Sequence, residues 1–298
     1  MPTLFAISGF LLSSRIRKGW SDPRTRFSVV HSLYLYTVWL LIYAVLSVWF
    51  PTGAQPLTTV QGWREIAHQF VTPHTMLWFI LGLAFWSIVL ASVRLVPYWV
   101  VLPILFILTV FSLEIEWVTP LDFYIRILRY GFYFAIGVYL RPAIARAINE
   151  YVWWTVGFSF AAYVLLRLAL PIEKGLGAAV SILAPLRDVA AVGLAMSAIA
   201  VVVTHVAVLQ RPLAWIGRRT LPIYVVHSII IWSLIKIPGW GFAVALPVHR
   251  YVAPALWTVL VALTCIGIYT IAAKTPGRYL FDMPGTWRTA LRAEKRSR

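Results

Sequence analysis

The sequence predicts an all-α, polytopic integral membrane helix bundle with eight full spans and one partial span at the N-terminus. Three observations carry this reading. Of 298 residues, 61% are hydrophobic and 12% charged, against about 25% charged in ordinary soluble domains. Several apolar runs reach or approach the ~18 residues of a spanning helix, and they are continuous where a membrane β-barrel would alternate. Basic residues gather in every second connection, as they do when successive helices cross in alternating directions.

The elements follow in order. Met1–Ser14 is apolar and uncharged, and Arg15, Arg17 and Lys18 close it. At ~1.5 Å per residue it makes roughly 21 Å of helix, short of a ~30 Å hydrocarbon core. Full spans are expected at Ser28–Phe50, His74–Ser92, Val96–Ser112, Ile125–Arg141, Val152–Pro171, Leu186–Val208, Arg219–Ile237 and Tyr251–Ala273. Arg94 and Pro97 mark a tight turn. The run from Leu176 to Leu209 is too long for one span. Pro185, Arg187 and Asp188 are expected at its outer boundary, with Leu176–Ala184 as a short re-entrant or loop piece. Residues 1–273 therefore read as one membrane domain and 274–298 as a basic cytoplasmic tail.

Orientation follows from Lys and Arg placement. If the loop after Ser14 is cytoplasmic, that side also collects Arg24, Arg26, Arg94, Arg141, Arg146, Arg211, Arg218, Arg219 and the tail. The other side keeps Arg64, Lys174, Arg187, Lys236 and Arg250. The C-terminus is then cytoplasmic and Met1 lies outside, so a preceding helix with a cytoplasmic start is expected. The net charge of +16 is accounted for by this topology and by anionic lipid at the inner leaflet. Nothing marks nucleic-acid binding. Cys265 is the one cysteine. It excludes an internal disulfide and reads as a small buried hydrophobe.

Charged groups inside spans cost at least ~2.5 kcal/mol each unless they snorkel, pair or face a cavity. Arg126 and Arg129 lie three residues apart, on one helix face, near the outer end of the fifth segment. They either snorkel and pair with Glu114, Glu116 or Asp122, or line an outward cavity for a hydroxylated or anionic acceptor. His227 sits in the middle of the eighth segment, with Tyr224 three residues earlier on the same face. His74 opens the third segment at the outer face. Both are candidates for chemistry, against the alternative of satisfied structural histidines. His68 and His249 read as solvated, His205 as a helix-end cation, and His31 as interfacial. The cytoplasmic cluster of Arg15, Arg17, Lys18, Arg24, Arg26, Arg218 and Arg219 serves topology, and also suits the phosphates of a cytoplasmic cofactor. There is no Walker or Rossmann glycine pattern beside it and no metal-ligand motif. Trp20, Trp49, Trp63, Trp153, Trp154, Trp240 and Tyr251 read as interfacial anchors.

Several local patterns resemble, in this order, the acyltransferase-3 family of membrane O-acyltransferases. Leu4-Phe5-Ala6-Ile7-Ser8-Gly9-Phe10 looks like that family's Phe-Phe-x-x-Ser-Gly-Phe motif. His74-Thr75-Met76-Leu77-Trp78-Phe79 is similar to its His-Leu-Trp-Phe-Leu segment. Phe134-Ala135-Ile136-Gly137 resembles its Phe-x-x-Gly helix. Ile216 to His227 resembles its late Leu-Gly-x-x-Ser-Leu-x-Ile-Tyr-Leu-x-His element. The resemblance implies a ten-helix fold in a bacterial inner (cytoplasmic) membrane. It also implies acetyl-CoA or another acyl-CoA as cytoplasmic donor, no metal, and a hydroxyl of an extracytoplasmic glycan or glycolipid as acceptor. Within this scheme His227 and His74 are supporting catalytic candidates, Arg126 and Arg129 supporting candidates on the acceptor, and Arg15, Arg24, Arg26, Arg218 and Arg219 candidates for the donor phosphates. The family's key Arg and His lie in a first helix that would precede Met1. The start is thus expected to be misplaced, the alternative being an inactive truncated relative. A small-molecule transporter or flippase is the competing function, and it would need helices broken at the midplane and internal symmetry.

Overall fold

The computed structural model describes residues 1–115, 122–172, 177–237 and 253–285. Helices, short 3-10 turns and connections make up the described residues, with no strand among them. The helices are α1 (Pro2–Ile16), α2 (Pro23–Leu46), α3 (Val60–Gln69), α4 (Trp78–Ser92), α5 (Tyr98–Glu114), α6 (Asp122–Tyr139), α7 (Arg141–Glu150), α8 (Val152–Ile172), α9 (Gly177–His205), α10 (Ala207–Gly217), α11 (Thr220–Ile235) and α12 (Ala253–Ala272). Each expected span overlaps one of these helices among the described residues. Four helices are long and apolar enough to cross a membrane, within Pro23–Leu46, Val152–Ala169, Ile182–His205 and Pro254–Ala272. The apolar α1, α4, α5 and α11 are shorter.

The differences from the expected elements lie in the connections. Amphipathic α3, α7 and α10 occupy stretches expected as loops. Thr59 caps α3, its hydroxyl accepting from the Gly62 N–H at 2.8 Å, and the helix turns Gly62, Ile66 and Gln69 inward at helical spacing. Asp22 caps α2 through the Arg24 N–H at 2.9 Å, with Pro23 in the first turn. The expected break at Pro185 is absent. α9 runs through Pro185, Arg187 and Asp188 over 29 residues, about 43 Å of helix.

The chain forms two compact units: Met1–Val29 with Gly82–Leu213, and Val30–Leu81 with Ala214–Arg298. In the first, α1 packs along α6, α6 lies on α5, and α9 touches α1 and α5 and pairs with α8. The α1–α6 crossing is made by glycines. A Cβ on Gly9 would sit 2.1 Å from the Phe134 carbonyl oxygen, and one on Gly137 would sit 2.1 Å from the Ala6 carbonyl oxygen. Such backbone contact between apolar helices requires small residues. Ser13 seals the seam by donating to the Val138 carbonyl at 2.6 Å. α8 turns Trp154, Phe158, Leu165 and Leu168 outward, an apolar face compatible with a lipid bilayer.

In the second unit, Leu35, Tyr36, Trp39, Leu40 and Tyr43 of α2 form a core with Leu77, Val225, Val226 and Cys265. The Tyr43 hydroxyl donates to the Val225 carbonyl at 3.0 Å. The first part of the stretch read as a basic cytoplasmic tail packs on this core through residue 283. Phe281 and Met283 are buried. Tyr34 and Trp39 donate to the carbonyls of Tyr279 and Leu280, both at 2.7 Å. The reason is apolar burial: Phe281 packs between the rings of Trp39 and Tyr269. Residues 286–298 lie outside the described residues.

Candidate functional site

His227 is half-buried in α11. Its Nδ1 lies 2.6 Å from the Tyr224 carbonyl oxygen. A carbonyl can only accept, so Nδ1 carries a proton towards it and Nε2 is the ring nitrogen left facing away from this bond. The Ser228 hydroxyl is 3.5 Å from Nε2. Tyr224 is fixed in turn: its hydroxyl donates to the Met76 carbonyl, and its ring meets Phe79 at 5.2 Å. The sequence motif around His74 and that around His227 are therefore joined, through Met76 and Phe79. His74 itself is exposed and stacks on His68 at 6.2 Å. His227 is thus an imidazole oriented by a backbone carbonyl inside an apolar helix.

In the first unit the polar residues separate to two ends. At one end the 15–26 loop meets the α4–α5 turn. The Arg94 guanidinium donates to the Lys18 carbonyl at 2.7 Å, and Trp20 Nε1 donates to the Ser92 hydroxyl at 3.0 Å. Gly19 adopts φ +66, a conformation that favours glycine, and the Arg94 side chain lies where a Cβ would be. Arg141 lies over the Phe10 ring at 5.4 Å. Arg15, Arg17, Lys18 and Arg24 are exposed there, and Arg26 donates to the Trp20 carbonyl at 2.9 Å. This end gathers the basic residues expected on one side, with Arg94 as a member that the sequence reading used only for topology. Arg218 and Arg219 belong to the second unit. Arg219 sits over Trp215 at 4.3 Å and Arg218 is exposed.

At the other end, Arg129 Nη2 donates to the Ser112 carbonyl at 2.7 Å, capping the C-terminal turn of α5. Arg187 pairs with Asp188 at 2.8 Å, and Tyr133 donates to the same carboxylate at 3.4 Å. Among the described residues, the acid that meets these side chains is Asp188. Of the expected partners, Glu116 and the side chains of Glu114 and Asp122 lie outside the described residues, as does His249. Asp188 was legible as an ionisable group within an apolar run, but the neighbouring Pro185 reads as a boundary.

Of the resembling motif, Gly9 and Gly137 are the glycines of the α1–α6 crossing. Phe10 supports Arg141, and Ser8 is half-buried. Comparison with protein-family models, with curated proteins and with solved structures finds no match to this chain.

Proposed function

We propose that this chain is a membrane O-acyltransferase of the bacterial inner membrane. It moves an acyl group, acetyl in the first instance, from cytoplasmic acyl-CoA to a hydroxyl of an extracytoplasmic glycan or glycolipid. The observation that carries the proposal is His227. A half-buried imidazole in an apolar helix, with Nδ1 held by the Tyr224 carbonyl, is oriented to serve through Nε2 as the general base of the proposed reaction. In the reaction, Nε2 takes the acceptor's O–H proton and the oxygen attacks the thioester carbonyl. The C–S bond then breaks and the proton leaves with the CoA thiol. Arg15, Arg24, Arg26, Arg218 and Arg219 serve the donor phosphates. Arg126 and Arg129 serve the acceptor, and His74 supports the site. Eight full spans, with a cytoplasmic C-terminus, belong to the same proposal.

Nothing in the described helices favours a transporter. α9 passes Pro185 unbroken, and Pro222 stands in the first turn of α11, where proline is tolerated. The test uses membranes carrying the full chain and labelled acetyl-CoA. Label should enter envelope glycan and be lost in a deletion strain. His227→Ala should lower transfer about 10²–10⁴-fold, the worth of a general base, while Cys265→Ala retains it. Unchanged label in the deletion strain refutes the activity. Equal effects of the two substitutions refute the assignment of His227.

A further inference from the structure

The geometry points to a divalent metal site of the zinc class at Glu65, His68 and His74, a revision of the expectation that no metal is held. It does not rest on the acyl-transfer reading. α3 places Glu65 and His68 three residues apart on one face, and the chain returns after α3 to bring His74 beside them. One ligand atom from each residue falls in a set mutually within 4.8 Å. Two imidazoles and one carboxylate are a zinc donor set with an open fourth position, and the nitrogen ligands disfavour calcium and magnesium. Tetrahedral bonds of about 2.0–2.2 Å place donors about 3.4 Å apart. The ligands must therefore draw in by about 1 Å, which the exposed rings of His68 and His74 allow by small rotations.

Proximity alone would be weak. The second observation is how the ligands are held. The Thr72 hydroxyl lies 3.1 Å from the His68 carbonyl oxygen, 2.5 Å from the ring's Nδ1 and 3.2 Å from its Nε2. One side chain thus holds the His68 ring beside Glu65 and His74, as outer partners hold metal-binding histidines. Glu65 Oε1 accepts from Gln69 Nε2 at 3.2 Å, and the same Nε2 donates to the Gly53 carbonyl at 2.9 Å. Those two acceptors fix the amide's orientation. Gly53, at φ +79, lies against the His74 carbonyl. One fully buried glutamine thus ties the carboxylate to the loop on which His74 rests. Gln69 Oε1 is buried and has no hydrogen-bond partner, and amide geometry keeps it within about 6 Å of the Glu65 carboxylate. An orphaned buried acceptor there calls for a donor, and a water on the ion would provide one.

The test is metal binding by the purified full chain in detergent after chelator stripping. Co2+ should bind at one equivalent with a visible ligand-field band, and Zn2+ should displace it. His68→Ala, His74→Ala and Glu65→Gln should each weaken binding at least tenfold. Thr72→Val should weaken it about 10–100-fold, the range for outer-sphere partners, while His205→Ala leaves it unchanged. Zn2+ should also raise the melting midpoint of the parent chain but not of the His68→Ala/His74→Ala double variant. Absence of one-equivalent binding overturns the proposal. So does binding retained in the double variant, which would mean an adventitious ion only. Loss of acyl transfer with intact metal binding would count against the acyl-transfer reading alone.

Discussion

Gly137→Ala should separate α1 from α6. The new methyl would stand 2.1 Å from the Ala6 carbonyl oxygen and 2.6 Å from the Phe10 nitrogen. Both are backbone atoms, so no rotamer change relieves the clash. An ordinary carbon–oxygen contact is about 3.3 Å, so the helices must part by about 1.2 Å. Overpacking of this kind costs about 1–3 kcal/mol, and here it falls at the upper end. The same shift stretches the Ser13–Val138 bond from 2.6 Å beyond hydrogen-bonding range, losing about 1 kcal/mol more. Alanine recovers about 1 kcal/mol of helix propensity. The net loss is about 2–3 kcal/mol, or about 5–10 °C in melting midpoint at the slope of a domain this size. The assay is thermal unfolding of the detergent-solubilised chain. Gly157→Ala in α8 and Gly267→Ala in α12 are the controls, because a Cβ at either meets nothing within 4 Å. Both should hold or raise the midpoint. A Gly137→Ala midpoint equal to that of the controls would refute the close crossing.

Two further outcomes follow from the packing. Phe281→Ala should cost about 3–5 kcal/mol, because the ring is 5% exposed between Trp39 and Tyr269; a midpoint unchanged in the same melting assay would remove this stretch from the core. Arg129→Met keeps the side chain's bulk but removes the charged donor to the Ser112 carbonyl. It should lower the midpoint by the equivalent of about 1.5–3 kcal/mol, and no change would free Arg129 from its capping role.

What was legible in the sequence is what depends on local composition. Apolar runs located the expected spans, because burial of long uncharged segments needs no knowledge of partners. Within the first unit, Arg15, Arg17, Lys18 and Arg94 come from alternate connections and meet at one end, a grouping that the count of basic loops anticipates without knowledge of contacts. The rest needed pairings between distant residues. Gly9 and Gly137 stood out only as parts of a resemblance, and their packing reason appears once α1 lies on α6. Pro185 beside Arg187 and Asp188 reads as a helix boundary. A proline within a long helix can be tolerated, however, and the carboxylate is satisfied by Arg187 and Tyr133. Glu65 and His68 stand at helical spacing in the sequence. His74 joins them only through the fold after α3, and the loop near Gly53 is pinned by Gln69.

The separation of ends constrains the proposed reaction. α1 runs from Pro2 to Ile16, with Arg15 and Arg17 at the basic end. Its 15 residues make about 22 Å of helix. A donor whose phosphates are held by the basic residues and an acceptor held near Arg126 and Arg129 would be separated by about that length. Under the proposed direct attack, the donor's thioester arm must therefore reach from the phosphate end towards the acceptor. The Gly9–Gly137 crossing bears on its route. With backbone against backbone at that level, the α1–α6 seam leaves no room for a chain, so an entering arm must pass along another face of α1.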